Sequence, residues 1–226
     1  MHRLASSHPA ALATALGLLG LMIWDYMGLD LALAQLVATP TGFPWRDHGF
    51  LTRVMHDGAR TLAGLLVGVL VIVVVFPLGP FRALTRVQRL WLLATVVGGL
   101  VLPALLKRLS ATSCPWDVRE FGGASTWVSH WQWGRVDGGP GHCFPAGHAS
   151  AGFAWIAGFF AWPAGSTWAR RWLWGALVAG LALGLAQQLR GAHFMSHTLW
   201  TAWICWTWAW VLSYLLARNR HAPAAG

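Results

Sequence analysis

Apolar positions run along the chain in long blocks, and polar residues gather at their ends. The blocks fall roughly at 9–24, 59–76, 90–106, 148–164, 172–188 and 198–216. A bilayer crossing takes about 20 predominantly apolar residues, so the shorter blocks must draw on their flanks. The pattern predicts an all-α integral membrane protein: six helices in one bundle, a single domain over 1–226, and no soluble appendage. Two segments between blocks are long, about 25–58 and about 107–147. The first mixes apolar and charged residues and is expected to form a short amphipathic helix along the membrane surface. The second is rich in Gly, Trp and charge. Loops of that length are usually functional or disordered.

The first block could be taken for a cleaved signal peptide, since Met1-His2-Arg3 is basic and Ala32-Leu33-Ala34 resembles a cleavage site. Asp25 and Asp30 intervene, and the apolar core ends about ten residues too early, so the block reads as a retained helix.

Composition agrees with a membrane protein. The chain is 56% hydrophobic and only 10% charged, where soluble domains carry about 25% charged residues. Many of its 17 tryptophans stand near block ends (Trp24, Trp91, Trp162, Trp168, Trp172, Trp200), as interfacial belts do. A net charge of +9 raises the possibility of nucleic acid, but its distribution excludes that partner. Arg82, Arg86 and Arg89 follow the second block, Arg170 and Arg171 the fourth, and Arg3, Arg218 and Arg220 mark the termini. Every acid falls in the segments after the first and third blocks. The positive-inside rule then puts both termini and these arginines in the cytoplasm, which requires an even number of crossings. The long 107–147 loop is left outside.

Three polar clusters thereby share the outer face: Lys107-Arg108, the stretch His142-Cys143-Phe144-Pro145-Ala146-Gly147-His148, and Arg190-Gly191-Ala192-His193 with His197. Together they offer cations, imidazoles and a glycine before a helix start. Cations beside a helix N-terminus suit an anion, phosphate being the natural one. Two imidazoles with distinct roles suit nucleophilic and general-acid chemistry.

These residues resemble the motifs of the type 2 phosphatidic acid phosphatase (PAP2) superfamily, K-x6-R-P, P-S-G-H and S-R-x5-H-x3-D. Here Lys107 is followed at the right spacing by Cys114-Pro115. Pro145-Ala146-Gly147-His148 answers the second motif, and His193 with His197 the third. Four positions depart: Cys114 for arginine, Ala146 for serine, Gln187 for arginine and His197 for aspartate. Arg190, about one helical turn from Gln187, and Arg108, next to Lys107, are expected to supply the missing guanidinium groups.

The resemblance implies a lipid phosphatase with its active site in the extracytoplasmic loop of a bacterial-type inner membrane. Its substrate would be a lipid phosphate or pyrophosphate drawn from the membrane lipid. His193 would be the nucleophile, forming a phosphohistidine, and His148 the general acid and then base. Lys107, Arg190, Arg108 and the Gly147 N–H would hold the phosphoryl oxygens. His197 would orient His193, with Asp117 or Glu120 adding negative charge. The scheme needs no metal and no cofactor. Its rivals are a lipid phosphotransferase and a non-enzymatic protein that binds a lipid headgroup or metal.

Other readings of the same residues stay open. His193 and His197 share a helix face and with His148 and His142 could hold zinc or copper. Lys107 and Arg108 could be snorkelling anchors. His130 and His142 read as loop residues, and Gln187 as a packing or capping group. The tryptophans from Trp200 to Trp210 face lipid and neighbouring helices, or line a slot for an acyl chain. Cys114 and Cys143 stand at the two ends of the outer loop, where a disulfide would tie the first motif to the second. Cys205 lies mid-membrane.

Overall fold

The computed structural model describes residues 7–132 and 134–221. Helix α1 spans Ser7–Tyr26, and the short α2 spans Leu29–Gln35. A π-helical stretch, Phe50–Gly58, runs into α3, Ala59–Val75. Helix α4 covers Arg86–Leu109. Two short pieces, α5 (Ser150–Phe153) and α6 (Ala157–Ala161), are joined by a 3-10 turn over Ala154–Ile156. Helices α7 (Thr167–Leu189) and α8 (Met195–His221) complete the bundle. No strand is found among the described residues, so the all-α reading holds.

Five helices are long and apolar enough to cross a membrane: His8–Tyr26, Phe50–Val75, Arg86–Leu109, Thr167–Leu189 and Met195–Arg218. The expected fourth crossing, 148–164, is a shorter apolar helix, Ser150–Ala161, interrupted by tighter 3-10 turns. Pro145 and Pro163 bracket it in the sequence, and neither can donate a helical hydrogen bond. The second crossing begins nine residues before its apolar block, because Phe50–Gly58 continues the helix as wide turns. The expected surface helix is α2, but it turns Asp30 inward, 8% exposed, onto the start of α8. Arg3 and the side chain of Arg220, counted above as cytoplasmic charges, lie outside the described residues.

Helix starts follow local chemistry. Thr85 and Gln88 close a reciprocal capping box on α4. Ser166 accepts the Ala169 N–H at 3.2 Å to start α7. The core lies between α4, α5–α6, α7 and α8, around the fully buried Leu92, Val96, Phe153 and Ile156. At the crossing of α5 with α7 the backbones touch: a Cβ on Gly152 would lie 2.2 Å from the Gly180 nitrogen. Close packing through small residues replaces the hydrophobic drive that lipid cannot supply.

The tryptophans of α8 act as staples. The indole N–H groups of Trp203 and Trp206 donate to Thr14 O at 3.0 Å and Thr14 Oγ1 at 2.9 Å, on α1. Trp208 donates to Thr95 O at 3.1 Å, on α4. A donor left unpaired in hydrocarbon costs several kcal/mol, on the order of 2–7, so these bonds fix the register of α8. They use three tryptophans that could otherwise have lined a slot.

Candidate active site

Each of the three polar clusters is placed by a local device. Lys107 and Arg108 occupy the last turn of α4. Helix α7 ends in a Schellman turn: the Gly191 N–H donates to Gln188 O at 2.9 Å and the Ala192 N–H to Gln187 O at 2.8 Å. Gly191 has φ 72°, and a Cβ there would lie 2.2 Å from the Phe43 ring. Glycine is needed on both counts. This reversal delivers His193 to the start of α8, where it is 2% exposed.

The segment before His148 is fastened to α8 and to the end of α4. The Ala146 N–H donates to His197 O at 3.1 Å, and Thr201 Oγ1 donates to Ala146 O at 3.1 Å. The N–H groups of His142 and Cys143 donate to Ser110 O at 2.8 Å and Thr112 O at 2.9 Å. Cys114 and Cys143 are joined by a disulfide with Cα atoms 5.2 Å apart, as expected. Asp137, 6% exposed, fills the loop by accepting from Ser113 N, Ser113 Oγ and Gly139 N.

A cavity of about 510 Å³ is lined by Lys107, Arg108, Gly147 and His148, with His56 and Arg60 from the helix preceding and beginning α3. His142, read from the sequence as a loop residue or a metal-ligand candidate, also borders it. The His56 ring lies against His148, tilted by 35°, with centroids 3.8 Å apart. Burial, then the positive neighbours His56, Lys107, Arg190 and Arg60, push His148 down to about 3. His148 Nδ1 is buried without a partner among the described residues. An imidazole so crowded by cations is neutral in the empty cavity and responds strongly to an anion.

His193 and His148 have ring centres 6.3 Å apart. Burial, then the neighbouring His197, Lys107 and His148, lower His193 well below the usual imidazole range, so it too is neutral. Its Nδ1 lies 3.4 Å from His197 Nδ1 and 3.5 Å from Cys143 Sγ. Cys143 Sγ, His193 and His197 form a cluster of ligand-type atoms within 4.8 Å. That sulfur is bonded to Cys114 and is no thiolate, which leaves two imidazoles, fewer than the three or four protein donors of a zinc site.

Arg190 caps α7 and does not line the cavity. Its Nη1 donates to Gln187 Oε1 at 3.0 Å and its Nε to Arg46 O at 2.9 Å. The guanidinium thus sits on the amide of the residue that replaces the motif arginine, and its charge reaches His148. Gln187 is 1% exposed, and its Nε2 has no partner among the described residues.

The expected carboxylates, Asp117 and Glu120, do not reach His197. Asp117 accepts the Cys114 N–H at 3.3 Å within its own 3-10 turn, and Glu120 sits in the next. The carboxylates that share a cavity with His197 are Asp25 and Asp30. Asp30 Oδ1 accepts from Ser196 N at 2.9 Å and Trp24 Nε1 at 2.9 Å, and its Oδ2 accepts from Ser196 Oγ. Burial raises the Asp30 pKa against these bonds. Sequence distance hid both acids: they lie more than 160 residues before α8, on a segment read as a surface helix.

A membrane bundle with an imidazole- and cation-lined cavity at one end defines the class. Its family follows from comparison: the family model of the PAP2 superfamily matches residues 88–221, and the chain belongs to that superfamily. The membership supports a phosphatase- or phosphotransferase-type function. No curated protein and no solved structure matches the chain. Asp25, Asp30, His56 and Arg60 all precede the matched region.

Proposed function

We propose that the protein is a lipid phosphatase acting at the outer face of the cell membrane through a phosphohistidine on His193. The observation that carries the reading is the convergence of Lys107, Gly147 and His148 on one cavity, with His193 beside His148. In the first step the His193 Nε2 lone pair forms a P–N bond, and the bond from phosphorus to the lipid oxygen breaks. That oxygen takes a proton from His148, which the substrate's negative charge has raised into its protonated form. In the second step His148 takes a proton from water, the water oxygen attacks phosphorus, and phosphate leaves with His193 restored. Lys107, Arg108, Arg60 and the Gly147 N–H stabilise the charge on the phosphoryl oxygens. Arg190 acts from one side, held by Gln187.

A lipid substrate is supported by a second cavity of about 790 Å³, almost wholly apolar. It shares Ala59, Ala63 and Ala151 with the polar cavity and runs between α3 and α7 past Trp155 and Trp172. A headgroup in the first cavity would leave its chain in the second. The cytoplasmic arginines and the disulfide-bonded loop support an outward-facing site with both termini inside.

The test is turnover by purified protein on a panel of lipid phosphates and diphosphates, with chelator present. Free phosphate is expected, and His193→Ala should abolish it while the protein stays folded in detergent. Full activity in that variant would remove the phosphohistidine. Transfer to an acceptor lipid without free phosphate would make the protein a phosphotransferase.

A further inference from the structure

A histidine at position 197 brings no charge to the cation that forms when His193 is phosphorylated. The structure holds a carboxylate that can serve. Asp25, at the end of α1, and His130, in the long loop, have side chains 5% and 9% exposed, with Asp25 Oδ2 3.2 Å from His130 Nε2. Asp25 Oδ2 accepts from Trp131 Nε1 at 2.8 Å and Trp200 Nε1 at 3.0 Å. Among the described residues Oδ1 has no donor. His130 lies flat on Phe144, centroids 4.1 Å apart at 7°, and Phe144 meets the His197 ring edge-on at 5.3 Å. His197, His130, Asp25 and Asp30 border one small cavity of about 10 Å³, the size of one water molecule. Asp30 is committed to three donors, two on Ser196 at the start of α8 and one on Trp24 of α1, whereas Asp25 keeps one oxygen without a donor among the described residues.

We propose that Asp25 is the positioning carboxylate of the His193–His197 pair, acting on His197 across this one-water cavity. It holds His197 in the tautomer with its proton on Nε2. His197 Nδ1 then accepts from His193 Nδ1–H, and His193 Nε2 is left free to attack phosphorus. No proton moves along the chain; the carboxylate orients two rings and stabilises the positive charge that develops on the first. The motif's negative charge has thus moved from α8 to the end of α1, outside the region that matches the family. The inference rests on the reading of His193 as nucleophile.

Two measurements test it. In the first, kcat is compared for Asp25→Asn in the wild-type and in the His197→Asp backgrounds. Asparagine keeps an acceptor for both indoles. In the wild type, kcat should fall about 10- to 100-fold, the range for partners behind a directly acting group, with KM nearly unchanged. In His197→Asp the carboxylate touches His193 directly, so Asp25→Asn should change kcat less than about threefold. Equal losses in both backgrounds would mark Asp25 as merely structural and overturn the proposal. The second needs neither turnover nor a folded His197→Asp protein: ¹⁵N-histidine spectra of wild type and Asp25→Asn. The His197 proton should sit on Nε2 in the wild type and redistribute in the variant. The same tautomer in both, or a wild-type proton on Nδ1, would also overturn it. If His193→Ala keeps its activity, the nucleophile reading falls, and the spectra still decide whether Asp25 governs His197.

Discussion

At the residue scale, His148 sets the pH behaviour of the site. Its pKa, pushed down to about 3, means that the folded, empty protein takes up no proton there until strongly acid pH. An anion between His148 and Lys107 reverses that bias and draws a proton in. Sulfate, which does not titrate near neutrality, should therefore bind with proton uptake and more tightly as pH falls from 8 to 5, by at most about tenfold per pH unit. Calorimetry in buffers of different ionisation heat would count the proton. His56 and His142 share the cavity, so His148→Gln isolates the contribution: the variant should lose most of the uptake. Sulfate affinity that is flat with pH in the wild type would remove His148 as the proton acceptor. Stability follows the same shift. The unfolded imidazole protonates near 6.5 while the folded one does not, so stability from this group is complete above about 6.5 and drains away toward 3. The slope is at most about 1.4 kcal/mol per pH unit. Thermal unfolding in detergent should come earlier at pH 5 than at pH 7, and by less in His148→Gln.

At the element scale, α5 and α7 meet backbone to backbone, which places His148 and His193 at one level. Gly180→Ala would put a methyl carbon 2.3 Å from the Phe153 ring unless one of them moved. Overpacking of this kind costs about 1–3 kcal/mol, so melting should fall by several degrees, and a spread between His148 and His193 should lower kcat as well. Wild-type melting in this variant would mean that the two helices separate freely. Most of the helices were legible because apolar blocks of bilayer length admit few other structures. The exception was Ser150–Ala161, where apolar composition continues through a 3-10 turn that hydropathy cannot sense. Lys107, His148 and His193 could be singled out in the sequence because their spacing matched three motifs. His56, His130 and Asp25 could not, because each reaches the site through packing between distant segments and leaves no local pattern. The role of Gln187 was only partly legible: its burial suits a packing group, but it also holds the Arg190 guanidinium.

At the scale of the whole molecule, the disulfide closes a loop with a sequence separation of 29. Chain entropy for such a loop is worth about 3–4 kcal/mol. Reductant should therefore lower the melting temperature, and Cys114→Ala should match the reduced protein and ignore further reductant. A wild type that melts identically with and without reductant would show that the loop's hydrogen bonds hold it unaided. The bonds that Asp25 and Asp30 make to α8 span far more chain, with separations of 175 and 166 residues. During synthesis those acids emerge with the first helix, and their partners Ser196 and Trp200 emerge with the last. Until α8 inserts, Asp30 has only its bond from Trp24 and Asp25 only its bond from Trp131, without the donors of α8. A nascent chain stopped before residue 195 therefore has every cation of the cavity but lacks the helix on which His193 and the early acids are seated, so the cavity's two sides meet only when the last helix is in place.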